Sequence, residues 1–316
     1  MIRALRPTDL GSYLGFRART PANDAILGPT ARPKPLTIRG FIGRSLALNP
    51  GHEAWVQIEH GQIYGLSAAR ARFGTDVWDI DHLMIGPSAY DARICVGLLD
   101  HLSEAAVEEG VQKVFLRLTE ESPWAQSARQ AGFVEYATEH IYILPELNPV
   151  HRPIVEGLRH RRPSDHQPLF QFYSTVVPAH VRQIEALTLQ EWRWTDTWGL
   201  STIPPFRPGM SGRRRDFVVQ TGPEIDAWLQ VHQRSRVLQV TADPRGEDVD
   251  IRVLLDRGLA ELGPGGPVVY AIRDYQSEMI GPLEERGFRP LETHALLAHI
   301  LTLRVPERRL MPARVV

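Results

Sequence analysis

Asp79 and Asp81 stand at alternate positions in the run VWDIDHLMI, with His82 beside them. On a strand this spacing puts both carboxylates on one face. A carboxylate whose pKa is raised by burial could accept a proton from a reacting group. The alternative is a polar strand face satisfied by its neighbours. A little further on, YDARIC carries Arg93 and Cys95. Arg93 could hold a phosphate through its guanidinium, or be an exposed arginine at a helix start. Cys95 reads as a small buried apolar residue. The stretch EWRWTDTW brings Trp192, Trp194 and Trp198 together. They could wall a ligand pocket or pack between two domains. Arg213-Arg214-Arg215 reads as a solvated flank before a strand. The 12 histidines show no metal-ligand spacing with acidic or cysteine partners, so no metal is expected.

These residues must be positioned by elements, and composition bounds which. The chain has 316 residues, 43% hydrophobic and 23% charged, which predicts a globular protein of about two domains. A formal net charge of −1 gives no global pull toward nucleic acid or an anionic membrane. The single cysteine excludes an intrachain disulfide. The opening MIRALRPTDL has no apolar core of signal-peptide length, and no apolar run is long enough to span a membrane. The expectation is a cytoplasmic protein.

The chain repeats itself. Arg3, Arg6, Pro7 and Asp9 match Arg159, Arg162, Pro163 and Asp165 at a shift of 156. Leu98-Leu99-Asp100 matches Leu254-Leu255-Asp256 at the same shift, and Gly132-Phe133 matches Gly287-Phe288 at 155. Three blocks in one order at a nearly constant shift predict a duplicated domain. The proline-rich PELNPVHRPIVEG lies between the copies and suits an extended linker. The expected boundaries are 1–148 and 157–305, with a linker at 149–156 and a tail at 306–316.

Each copy opens with a short strand, and the Pro-Thr-Asp or Pro-Ser-Asp after it is helix-start chemistry. Irregular proline-rich stretches follow, roughly 20–50 and 196–212. Strands are expected at 54–59, 62–69 and 77–85 in copy one, with a His60-Gly61 turn, and at 216–220, 224–232 and 236–241 in copy two. Amphipathic helices at 91–109 and 247–262 end at Gly110 and Gly263. A strand (113–118; 267–272), a helix (123–131; 278–286) and Gly-Phe complete each copy. A mixed-sheet α/β (α+β) fold follows.

This order, with the opening RxxRPxD, the Leu-Leu-Asp helix and the Gly-Phe after a short helix, resembles the GNAT (N-acetyltransferase) superfamily over nearly all of both halves. The resemblance implies two tandem GNAT-like domains forming a pseudo-dimer, in a layout similar to that of mycothiol synthases. It also implies acyl transfer from acetyl-CoA or another acyl-CoA to an amine on a small molecule or a protein. The cofactor would lie in the splay of two central strands, against Leu83 and Ile85. Its pyrophosphate would sit on a glycine-containing loop before the Leu-Leu helix, near Arg93 and Cys95. The two small-residue positions of that loop hold Arg93 and Cys95 in copy one and Val249 and Ile251 in copy two. The family's tyrosine acid would fall at Ala128 and Leu283, neither of which can move a proton. Two expectations stand side by side: an N-acyltransferase with atypical cofactor loops, and a degenerate module that binds a ligand or a protein. Asp79 and Asp81 are the candidate bases of the first.

Overall fold

The computed structural model describes residues 1–20, 22–29, 33–48, 51–72, 76–87, 91–185, 188–190, 192, 214–243 and 249–301. The first half runs β1 (Ile2–Ala4), α1 (Leu10–Arg19), α2 (Ile38–Ser45), β2 (His52–Glu59), β3 (Gln62–Ala71), β4 (Val77–Ile85), α3 (Asp91–Glu108), β5 (Lys113–Thr119), α4 (Ala125–Gln130) and β6 (Val134–Leu144). The second half runs β7 (Leu158–His160), α5 (His166–Val176), α6 (Ala179–Glu185), β8 (Arg214–Val219), β9 (Ala227–His232), β10 (Val237–Ala242), α7 (Ile251–Leu262), β11 (Val268–Arg273), α8 (Ile280–Glu285) and β12 (Arg289–Ile300).

The repeated RxxRPxD motif has a local structural cause. Arg3 grips Asp9 with two bonds of 2.7 Å, and Asp9 accepts the main-chain N–H of Arg6 at 2.9 Å. Arg159 and Arg162 do the same to Asp165. In each half the carboxylate closes the tight turn that starts the first helix. The arginine hydrogen bonds hold both aspartates below the ordinary carboxylate range, against the opposing effect of burial.

His60 and Gly61 both take positive φ, 48° and 77°, which is the two-residue hairpin turn joining β2 to β3. Helix α2 lies inside the stretch expected to be irregular. Thr37 caps it by accepting the Gly40 N–H at 3.0 Å. Helix α7 starts at Ile251 because Asp250 caps it, four residues inside the expected start.

All 12 described strands form one sheet, in the order β1-β2-β3-β4-β5-β12-β6-β11-β10-β9-β8-β7. The pairs β4–β5 and β10–β11 are parallel. The centre of the sheet is an exchange. The last strand of each half pairs with the fifth strand of the other, β12 with β5 and β6 with β11, and β12 pairs with β6 between them. Glu139 faces His294 across that central pair. The two differ by 155 positions, the shift of the Gly-Phe repeat, so a pseudo-two-fold axis passes between them.

Each half buries its own core. Helices α3 and α4 pack Leu98, Leu99, Leu102 and Ala128 against β4 and β5. Helices α7 and α8 pack Leu254, Leu255, Leu259 and Leu283 against β9, β10 and β11. Ala128 and Leu283, where a tyrosine acid would stand, are completely buried in these cores. The helices come very close to the sheet at two glycines. A Cβ at Gly65 would meet Ile94 and Leu98 at 2.7 Å, and one at Gly258 would meet Leu238 at 2.5 Å.

Candidate functional site

Strands β4 and β5 pair over Val77–Asp79 and Lys113–Phe115, then part. Their parting leaves main-chain groups without a ladder partner, and these must be satisfied by something. Residues 23–26 satisfy them. The Asp24 N–H donates to the Leu83 carbonyl at 3.0 Å, and the Ile26 N–H donates to the Arg117 carbonyl at 2.9 Å. The Asn23 side chain does more. Its Oδ1 accepts from the Leu83 N–H at 2.8 Å and the Ala25 N–H at 3.2 Å. Its Nδ2 donates to the carbonyls of Asp81 and Ala25, both at 3.0 Å. Trp124 Nε1 fixes Asp24 Oδ2 at 2.9 Å. Ala25 is buried in the same cluster as Ile85, Cys95 and Leu98. The splay of the first half is therefore bridged by the chain itself.

The second half closes its splay differently. Strands β10 and β11 pair at Val237–Val269 and Leu238–Tyr270. The Tyr270 hydroxyl then reaches Val240, accepting its N–H and donating to its carbonyl, both at 2.9 Å. Burial pushes this phenol's pKa well up, so it keeps its proton. Phe288 packs edge-on against the Tyr270 ring at 6.4 Å.

The helix N-termini that would face a pyrophosphate carry carboxylates. Asp91 Oδ1 accepts from the Ala92 N–H at 2.7 Å, and Asp250 Oδ1 from the Arg252 N–H at 2.9 Å. A helix start already bonded to a fixed negative charge disfavours a second anion.

Of the residues singled out from sequence, Leu83 has both main-chain groups engaged by Asn23 and Asp24. Ile85 and Cys95 are buried in the first-half core, and Arg93 is exposed. Burial pushes the Cys95 thiol up to about 12, which leaves it unreactive. A β-bulge falls at Asp81, between the pairs Ala68–His82 and Ala69–Ile80. Asp79 and Asp81 take different arginines. Asp79 is held by Arg72 at 2.7 Å, with Arg70 at 3.8 Å. Asp81 bonds Arg44 and accepts from His82 Nδ1 at 2.9 Å. Burial raises both carboxyls, but the arginines outweigh it and hold both below the ordinary range. That pairing weakens them as bases. Arg44 also donates to the carbonyls of Glu53 and Ala69, so the Asp81 pair ties α2 to the sheet. Trp192 packs against Trp228 and Tyr173, with ring centroids 6.1 and 6.2 Å apart. Trp194, Trp198, Arg213 and residues 244–248 lie outside the described residues. Among the described residues no cluster of His, Cys, Asp and Glu could hold a metal ion, and no helix is long and apolar enough to cross a membrane.

Trp192 leads to a cleft of about 110 Å³ in the second half. Phe172, Tyr173, Val176 and Val177 form one side, from α5 and the turn after it. Trp228, Gln230, Gln239 and Thr241 of β9 and β10 form the floor, and Arg273 and Tyr275 close the end. Arg273 is set by the central seam. It lies 3.2 Å from Glu139 and 3.1 Å from Glu185, and Arg117 reaches Glu139 from the first half at 3.1 Å. Arg117 and Arg273 are another pair at the shift of 156. Glu139 is fully buried, which alone would raise its pKa, yet the two arginines and His294 bring it down to about 2.

The splayed parallel pair in each half, with a long helix between its two strands and a short helix and a sixth strand after it, defines a tandem GNAT fold. Two solved structures agree. A tandem GNAT protein from the clavulanic acid biosynthesis pathway is 14% identical, covers 96% of this chain and 99% of its own, and has a TM-score of 0.52. A GCN5-related N-acetyltransferase from Sphaerobacter thermophilus is 13% identical, covers 95% of both chains, and has a TM-score of 0.56. Identities this low show a shared fold. No family model matches the sequence, and no curated protein matches it.

Sequence reasoning missed Asn23, Tyr270, Trp228 and the Glu139 seam. One signal was present: Arg117 and Arg273 are charges inside apolar strands at the repeat shift.

Proposed function

We propose that this chain is a GNAT-fold ligand-binding module whose acyl-CoA slots are filled from within, and whose ligand site is the cleft of the second half. The observation that carries the reading is the pair of bridges, Asn23–Ile26 across one splay and Tyr270 across the other. A pantetheine arm needs the same main-chain groups, and each is already hydrogen-bonded. The altered loops and the aspartates on the helix starts act in the same direction, against a pyrophosphate.

A second reading has its own observation. Strands β4 and β5 do part where an acyl-CoA would enter, and their bridge is a loop segment rather than a ladder strand. If acetyl-CoA or another acyl-CoA displaced residues 22–29, the first half would become an N-acyltransferase acting on a small-molecule or protein amine.

The assay that separates them is release of CoA thiol from acetyl-CoA over a broad amine panel, with heat-treated protein as control. The expected result is no release above the control. Turnover near about 1 per second would overturn the binding-module reading and establish the second.

A further inference from the structure

The cleft of the second half is lined by donors that lack an acceptor. Trp228 is 9% exposed, and its Nε1 has no hydrogen-bond partner among the described residues. Arg273 spends its Nε on Glu139 and its Nη2 on Glu185, while its Nη1 is buried with no partner among the described residues. The Tyr173 hydroxyl is also buried and without a partner among them. An indole N–H and a guanidinium can only donate. Leaving such buried groups unpaired is unfavourable, so a ligand that supplies oxygen acceptors is favoured here. The acidic group in the wall has partners of its own: Glu185 Oε1 accepts from the Tyr136 hydroxyl at 3.0 Å and lies 3.1 Å from Arg273 Nη2. An ammonium would leave the Trp228, Arg273 and Tyr173 donors unpaired, whereas a carboxylate supplies acceptors for them.

The walls set the rest of the ligand. Phe172, Trp192 and Trp228 present aromatic surface, with Val176 and Val177 beside them. At about 110 Å³ the space is smaller than the roughly 150 Å³ of an enclosed apolar cavity that holds benzene, so it takes at most one ring, with the rest of the ligand at its open side. Resting on the reading of this cleft as the ligand site, we propose that it takes a single-ring aryl carboxylate. Its ring lies against the aromatic wall of Phe172, Trp192 and Trp228, and its carboxylate faces the side of the cleft where Trp228, Arg273 and Tyr173 carry the unpaired donors.

The test is calorimetric titration of the full chain with benzoate, benzamide, benzylamine and acetyl-CoA. Saturable binding of benzoate is expected, with none for benzylamine. Trp228→Phe and Tyr173→Phe each keep an aromatic ring and remove one donor. Each should weaken benzoate about tenfold, with far-UV circular dichroism unchanged. No benzoate binding, or benzoate affinity unchanged in both variants, overturns the proposal. Benzylamine binding without benzoate overturns the carboxylate but leaves the cleft as a ligand site. Saturable acetyl-CoA binding instead overturns the underlying reading of filled slots, whatever benzoate does.

Discussion

Glu139→Leu is expected to destabilise the protein by about 3–5 kcal/mol, the usual cost of stripping the counter-charge from a buried ion pair. Glu139 is the shared partner of Arg117 and Arg273 at the seam where the two halves exchange strands. Leucine fills the space but leaves two buried guanidiniums with less compensation. Arg273 keeps Glu185, so the larger loss falls on Arg117. The measurement is the urea unfolding midpoint and slope at neutral pH. A loss below about 1 kcal/mol would mean that the seam is held by its apolar neighbours alone. The same residue sets an acid response. Its folded pKa, about 2, lies below the ordinary 4.5, so its contribution is complete above 4.5 and is lost as pH falls toward 2. Glu139→Leu should flatten the fall in stability over that interval.

Asn23→Leu is expected to cost about 2–4 kcal/mol, because several main-chain groups lose their partners at once. The Leu83 N–H, the Asp81 carbonyl and both main-chain groups of Ala25 all rely on this one amide. Leucine occupies similar volume and offers none of the four bonds. The exchange rate of the Leu83 amide is the specific readout, since it should lose protection before β2 and β3 do. An unchanged rate would mean that the bridge across β4 and β5 is not a standing feature of the folded protein. Thermal unfolding on the same samples gives the size of the effect.

Much of the frame was legible because it rests on patterns that local chemistry enforces. Strand β4 falls where alternation and valine, isoleucine and tryptophan content place it, and α3 ends at Glu108, two residues before Gly110, whose φ is 78°. The repeat is visible because RxxRPxD does the same work twice, gripping Asp9 and Asp165. Helix α2 was hidden because IRGFIGRS has two glycines in eight residues and little periodicity to read. The strand exchange was hidden for another reason. The apolar alternation of β6 and β12 fits pairing with either fifth strand, and no local signal says which.

The candidate site was less legible because its partners are distant and largely main-chain. The bridge across the first splay uses the N–H groups of Asp24 and Ile26, which every residue but proline carries. Asn23 alone marks it, 58 and 60 positions away from its partners Asp81 and Leu83. Tyr270 stands in VVYAIR, where a tyrosine reads as ordinary strand content. Asp79 and Asp81 were visible as a pair, but Arg44, Arg70 and Arg72, which pair with them and hold their pKa values down, come from other elements. Trp192 was noticed for its neighbours in sequence, whereas its position depends on Trp228 and Tyr173.

The claim that both slots are occupied by the chain's own groups is tested most directly by isothermal titration of the intact protein with acetyl-CoA. No saturable heat is predicted up to about 1 mM, where an affinity near −4 kcal/mol would already register. A saturable one-to-one isotherm with micromolar Kd would contradict the account, in which the main-chain groups of Leu83 and Val240 are already held by Asn23, Asp24 and Tyr270.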